Sequence, residues 1–192
     1  MRKLLSAIFV TLLTVTTVAC SGNADQADED AIRLAGMADQ AVTVASESIE
    51  NPVLRQIAFG ELDGSHRFIF TDPAATVGVE VIAETPALPV AEWQVRDSEF
   101  VRHRPEAGLD VSSVRVGPGA VLDAASDQWP GCGLRSMTLV GGDGGARWYV
   151  FCNLPEGVVS GKVNVVTGEL TDSDAPPARV PAIATPVTPT SG

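Results

Sequence analysis

Two stretches of the chain repeat each other at a fixed offset, and this duplication constrains the fold more than any other feature. Residues 54–70 read LRQIAFGELDGSHRFIF and residues 134–150 read LRSMTLVGGDGGARWYV, without a gap between the copies. A repeat of this kind indicates that one supersecondary unit occurs twice. The identical pairs are Leu54-Arg55 with Leu134-Arg135, Asp63-Gly64 with Asp143-Gly144, and Arg67 with Arg147.

In both copies, apolar and polar residues alternate on either side of a Gly-rich turn. This alternation is typical of a half-buried β-hairpin. A third strand is predicted after each hairpin, where valines alternate again, and residues 155–161 are predicted to lengthen the second copy. The matching apolar pairs are Ile57 with Met137, Phe59 with Leu139, Phe68 with Trp148, and Phe70 with Val150, and the third strands contain Val77, Val79 and Val81, and Val163 and Val165.

A helix is predicted before each hairpin from apolar residues at three- and four-residue intervals. The first helix should begin after an acidic cluster that suits the positive end of the helix dipole, and it should end at Asn51, before Pro52. The second should begin near Pro118 and end at Trp129. The predicted apolar face of the first helix contains Ile32, Ala35, Ala38, Val42, Ala45 and Ile49, and Val121, Ala124, Ala125 and Gln128 share one face of the second.

These elements predict an α+β fold of two tandem units, each a helix and a three-stranded antiparallel sheet, packed together. The units span residues 28–85 and 112–171, and neither is large enough to build a stable core alone. The connector, residues 86–111, is predicted to add a strand around Val90, Trp93 and Val95. The tail, residues 172–192, is rich in Pro, Ala and Thr and is predicted to be disordered.

The end of the second copy, residues 161–170, reads GKVNVVTGEL. It resembles the end of PepSY domains, in which a strand reading roughly Gly-x-Val-x-Val-Asp-x-x-Thr-Gly-Glu follows a helix and a hairpin. The resemblance covers residues 112–171, and residues 28–85 only through the internal repeat. Asn164 replaces the usual Asp. The resemblance implies a cystatin-like fold and a role in binding or in modulating a peptidase, without catalytic residues.

The N-terminus has the features of a secretory signal peptide, residues 1–19, with Arg2 and Lys3 before an apolar, Thr-rich run. The residues Thr17-Val18-Ala19-Cys20 resemble a lipobox. The resemblance implies that Cys20 receives diacylglycerol and a further acyl chain such as palmitate, and that residues 20–27 tether the protein to a membrane that it does not span.

Thr17 replaces the usual Leu of a lipobox, so an ordinary signal peptide cleaved nearby is the alternative. Ser21 follows Cys20, where Asp would be the inner-membrane retention signal of enteric bacteria. The outer membrane is therefore favoured if the source is Gram-negative.

The two remaining cysteines and the net charge limit the chemistry further. Cys132 and Cys152 are predicted to form a disulfide, because an exported protein lies in an oxidising compartment. His66 and His103 are the only histidines and neither is near a Cys in sequence, so no metal is expected. The charge of -11 disfavours nucleic acid as a partner.

The sequence contains no clear catalytic motif. No Gly-x-Ser-x-Gly segment occurs. The glycines of residues 141–145 belong to the repeated turn and precede a strand rather than a helix, which disfavours phosphate binding. We therefore predict that the protein is not an enzyme and that it needs no cofactor.

One basic cluster stands out in this acidic chain: Arg102, His103 and Arg104, with Arg96 nearby. The cluster is a candidate surface for an acidic partner or for cell-wall carboxylates, because Arg binds carboxylates in a bidentate manner. The alternative is a solvated connector that pairs with Glu99 and Glu106. The sequence thus predicts a lipid-anchored, non-catalytic envelope module that binds a protein or peptide such as a peptidase, or alternatively carries a small apolar or cell-wall-derived ligand.

Overall fold

The computed structural model describes residues 27–60, 65–85, 89–98, 108–142 and 144–172. Within these ranges the chain forms two α-helices on one face of a single eight-stranded antiparallel sheet, ordered β4-β3-β2-β1-β5-β6-β7-β8. The elements are α1 (Glu29–Ala45), β1 (Val53–Phe59), β2 (His66–Thr71), β3 (Gly78–Ala83), β4 (Gln94–Asp97), α2 (Pro118–Gln128), β5 (Gly133–Val140), β6 (Arg147–Leu154), β7 (Gly157–Asn164) and β8 (Leu170–Asp172).

The sheet consists of two halves, each made by one copy of the repeat. The first half contains α1 and β1 to β4, and the second contains α2 and β5 to β8. The structure is α+β, as predicted, but it differs from two tandem three-stranded units. Each half has a fourth strand, and β1 pairs with β5 so that the halves share one sheet. This pairing covers two strand edges that separate units would expose.

The repeat extends to an irregularity in the sheet. The register of β1 against β2 shifts between Leu54 and Gln56, and the register of β5 against β6 shifts between Leu134 and Ser136. Each shift is a β-bulge at the repeated Leu-Arg dipeptide. The duplication in sequence is therefore a duplication in backbone geometry as well.

Two predicted elements differ from the observed ones. Residues 157–161, predicted to lengthen the second copy, form the first part of β7 and pair with β6. In the connector, Val90 lies in a 3-10 turn, Val90–Glu92, and the extra strand is β4, which begins after Trp93. Trp93 is buried and stacks on Phe68, with ring centroids 5.9 Å apart, so it anchors this turn to the core.

The buried face of α1 is rotated relative to the predicted one, although Ala38 and Ala45 are buried as predicted. Ile32 is 60% exposed, whereas Leu34 and Met37 are buried together with the alanines at 31, 38, 41 and 45. These alanines allow the helix backbone to lie close to the sheet, because each adds only a methyl group. The helix also ends at Ala45 rather than Asn51.

Trp148 lies in the core. Its side chain is completely buried, and its indole Nε1–H donates a hydrogen bond of 2.9 Å to the carbonyl oxygen of Val116. This bond ties strand β6 to the segment that leads into α2. It also satisfies the one polar group of a large apolar side chain.

The carboxylate of Asp28 joins the starts of the two helices. Its Oδ1 accepts a hydrogen bond of 2.7 Å from the N–H of Ala31, and its Oδ2 accepts one of 2.8 Å from the N–H of Gly117. Gly117 is the N-cap residue of α2, and a Cβ there would lie 2.5 Å from the Cβ of Asp30. A residue with a side chain cannot replace Gly117 without separating the two helix ends.

A second carboxylate, that of Asp72, organises the turn between β2 and β3. The hydrogen bond from the N–H of Val77, followed by that from the hydroxyl of Thr76, holds the pKa of Asp72 below its usual value.

Neither helix in the described ranges has the length and apolar character that crossing a membrane requires.

Candidate functional site

A cleft of about 300 Å³ opens where α1, α2 and the middle of the sheet meet. We call it the central cleft. Its walls come from both halves, because α1, β1 and β2 belong to the first and α2 and β5 to the second. Its lining residues are Asp30, Arg33, Leu34, Met37, Phe59, Gly60, His66, Pro118, Gly119, Leu122, Leu134 and Met137.

The floor of the central cleft is apolar. Phe59 and Met137 are cross-strand partners in the β1 and β5 pairing that joins the halves. Met37 extends from α1 and Leu122 from α2 toward the same space. Methionine side chains adapt their shape readily, so this floor can fit apolar groups of different outline.

The rim of the central cleft is polar. Arg33 and Asp30 form an exposed ion pair with an N–O distance of 3.4 Å. His66 stands edge-on to the ring of Phe59, with centroids 4.7 Å apart, and Phe59 in turn contacts the ring of Trp148. An apolar floor with a few polar groups at its edge is the usual composition of a ligand site.

The same features that join the two halves produce this opening. Asp28 holds the helix N-termini together, while Gly119 leaves room for the carboxylate of Asp30, 2.7 Å from where a Cβ would be. The helices meet at their starts, and the sheet continues beneath both. The central cleft thus depends on the relative position of the two copies.

The sequence did not indicate this site. Met137 and Phe59 were recognised only as apolar strand positions, and nothing local marked β1 and β5 as partners. The Gly-Gly and Asp-Gly turns predict a hairpin within each copy. The central cleft forms between the two copies, so these turns do not predict it. The one sequence signal for the cleft was the amphipathic start of α1, where the apolar Leu34 and Met37 lie close to the charged Asp30 and Arg33.

The predicted site residues lie in different places. The structure joins Cys132 and Cys152 by a disulfide that links the start of β5 to β6. Cys20, Arg102, His103 and Arg104 lie outside the described residues. Arg96 is on β4, with its side chain 53% exposed. Within the described ranges, no group of His, Cys, Asp and Glu side chains has the arrangement of a metal site.

Arg96 lies on the face of the sheet opposite the helices, which we call the outer face. Its Nε is 2.6 Å from Oε2 of Glu80, and Glu80 also pairs with Arg67 at 3.6 Å. The register places further cations on the outer face, Arg147 on β6 and Lys162 on β7. Arg55 belongs to the same face, since its Nε donates to the hydroxyl of Thr71.

Two buried polar atoms of the outer face, Arg67 Nε and Thr138 Oγ1, have no hydrogen-bond partner within the described part of the chain. Both residues flank Ala58 in the register. An unsatisfied buried hydroxyl is destabilising. We therefore expect Thr138→Val to raise the free energy of unfolding by about 1 kcal/mol.

Thr71 provides the matched control for this substitution. It is as buried as Thr138, at 3% exposure, but its hydroxyl accepts from Arg55 and donates to the carbonyl of Asp72. Thr71→Val should lower the free energy of unfolding by about 1 to 2 kcal/mol. Urea denaturation of both variants measures the two changes in the free energy of unfolding. Equal decreases for Thr138→Val and Thr71→Val would show that the hydroxyl of Thr138 is hydrogen-bonded.

Comparisons with known proteins place the fold but no family. No protein-family model matches the chain, and none of the curated proteins is significantly similar to it. A crystal structure of a "putative lipoprotein" (CD1622) from Clostridium difficile 630 has a similar fold, with a TM-score of 0.51. The two proteins are 11% identical, and the match covers 69% of this chain and 88% of that one. At this identity the similarity concerns the fold alone.

Proposed function

We propose that this protein is a lipid-anchored, non-catalytic binding module of the cell envelope, and that the central cleft receives an apolar side chain of a peptide or protein partner. The observation that carries this proposal is the cleft itself, with its apolar floor and polar rim at the junction of the two halves. Its volume of about 300 Å³ is at the lower end of ligand sites, which suits an anchor group better than a large molecule.

Burial of an apolar side chain from water supplies the driving force. Complete burial of a Leu, Phe or Met side chain contributes about 1.5 to 3 kcal/mol. Arg33 at the rim offers hydrogen-bond donors to the backbone or polar groups of the same segment. A few anchors of this kind carry most of the binding energy in protein interfaces.

The envelope location and the partner class rest on the sequence. The segment ending in Cys20 supports acylation at that residue, and the lipoprotein description of CD1622 supports the same type of protein. Attachment at the outer membrane is proposed for a Gram-negative source. The PepSY-like end of the second copy supports a peptide or a peptidase as the partner. The basic cluster of Arg96, Arg102, His103 and Arg104 is a second proposed contact.

A substitution that fills the central cleft tests the proposal. Leu122 lies half-buried on α2, so Leu122→Trp should occupy the cleft without entering the deeper core. We expect a cross-linking pull-down from the native envelope to recover a discrete partner with the parent protein and at least tenfold less with Leu122→Trp. Val158→Trp is the matched control, since Val158 is exposed on β7 away from the cleft.

Two results would contradict the proposal. If Leu122→Trp recovers the partner as well as Val158→Trp does, the cleft is not the binding site. If purified protein shows a specific hydrolase or transferase activity that His66→Gln abolishes, the protein is an enzyme. Native mass spectrometry adds one distinction, because a small co-purifying ligand displaced by Leu122→Trp would favour the carrier function.

A further inference from the structure

We propose that the second half of the outer face docks an acidic segment of a partner protein, at a surface formed by Arg147, Tyr149 and Lys162. We call this surface the basic patch. It lies on the side of the sheet opposite the central cleft, so it is independent of the function proposed for the cleft. It also differs from the cluster around Arg96, which lies at the other end of the sheet.

The register brings the three side chains together. Tyr149 on β6 is paired with Lys162 on β7, and Arg147 lies two residues before Tyr149 on the same face. Directly paired and diagonal side chains on adjacent strands are about 5 and 7 to 8 Å apart. The Nζ of Lys162 lies 5.8 Å from the centroid of the Tyr149 ring. One cation therefore lies close to the ring, and the guanidinium of Arg147 lies against Gly144 in the turn before β6.

Within the described ranges, the cations of the basic patch differ in their partners from those of the other half of the outer face. There, Arg67 and Arg96 both pair with Glu80. Among the residues that the structure describes, no carboxylate forms an ion pair with Arg147 or Lys162. Two cations without a carboxylate partner among the described residues, on one surface of a protein with a net charge of -11, form a local site for an anionic group.

The surroundings of the basic patch favour a protein partner. The neighbouring Phe151 and Thr138 are buried, so a partner would contact Arg147, Tyr149 and Lys162 themselves, of which Arg147 is exposed and the other two are half-buried. Tyr and Arg are enriched among the residues that dominate protein interfaces. Glu or Asp side chains of an extended segment can reach both cations while the segment lies on the sheet.

Charge and geometry disfavour a lipid surface at the same place. A cation near an anionic bilayer contributes about 1 kcal/mol to membrane binding. Two such cations give only a small attraction, which the repulsion between the bilayer and the otherwise acidic protein opposes. A narrow acidic segment avoids this repulsion because it covers only the basic patch.

The test uses the full chain and a fluorescent ten-residue poly-Glu peptide, with anionic vesicles and unlabelled protein as separate arms. We expect poly-Glu to bind, and Arg147→Ala/Lys162→Ala to weaken binding by about tenfold, since each exposed charge contact contributes modestly. Arg115→Ala/Arg179→Ala has the same net charge but leaves both the basic patch and the central cleft unchanged in sequence, so its affinity should match that of the parent. Leu122→Trp should also leave poly-Glu binding unchanged.

The outcomes are distinct. Loss of affinity in the Arg147 and Lys162 variant alone supports the basic patch. Equal affinity in both double variants, binding to vesicles alone, self-association alone, or no binding of poly-Glu would each overturn it. Thermal unfolding of the two variants establishes that both are folded, and Lys162→Gln provides a milder substitution with the same expected direction.

Discussion

Replacing Cys132 and Cys152 together by Ala is expected to lower the free energy of unfolding by about 3 kcal/mol, because the disulfide closes a loop of about 20 residues in the unfolded chain. The bond joins the start of β5 to the last part of β6, on the side of the core where Cys152 is completely buried. Guanidinium denaturation of the parent and the double variant measures the difference.

Reduction of the parent protein is the control for this substitution. Dithiothreitol breaks the bond but keeps the sulfur atoms in the core, so it separates the covalent contribution from packing. Alkylation should be measured with Cys20→Ser, so that no unacylated Cys20 contributes a thiol, and this variant should show no free thiol before reduction. Rapid alkylation of Cys132, or an unchanged melting temperature after reduction, would show that the bond does not form.

Replacing Trp148 by Ala should have the largest effect of any single substitution, about 3 to 5 kcal/mol, because it leaves a cavity where a completely buried indole contacts both halves of the core. Trp148→Phe keeps most of the volume but removes the hydrogen bond to the carbonyl of Val116. Its expected cost is about 1 to 3 kcal/mol, the cost of an unsatisfied buried acceptor.

Trp129 is the control for tryptophan removal. It is only half-buried, at the end of α2, so Trp129→Ala should cost clearly less than Trp148→Ala. Urea denaturation followed by circular dichroism measures all three variants without relying on tryptophan fluorescence. Equal losses for Trp129→Ala and Trp148→Ala would contradict the central position of Trp148 in the core.

The elements of each copy could be predicted from sequence because their signals are local. The alternation around the repeated DG turns marks two strands in each copy, and Pro118 marks the start of α2. Trp148 matches Phe68 in the repeat, and both are completely buried. The strand alternation and the helix start depend on neighbours close along the chain, and the repeat relates the two copies.

The arrangement of the halves could not be predicted, because it depends on contacts between distant residues. The pairing of Ile57 with Leu139 joins strands of different copies, and either copy alone offers several edges for such pairing. The apolar face of α1 was misassigned for a similar reason. Ile32 and Leu34 are equally apolar in sequence, and only the position of the sheet determines that Leu34 is buried.

Site-specific photo-cross-linking tests the central proposal, binding in the central cleft, most directly. A photoreactive benzoylphenylalanine in place of Leu122 would report what enters the cleft in the native envelope, and the same residue in place of Val158 would report random neighbours. We expect irradiation to give a discrete adduct from position 122 that mass spectrometry identifies as a peptide or protein segment, and none from position 158. No adduct from position 122, or the same adducts from both positions, would contradict binding in the cleft.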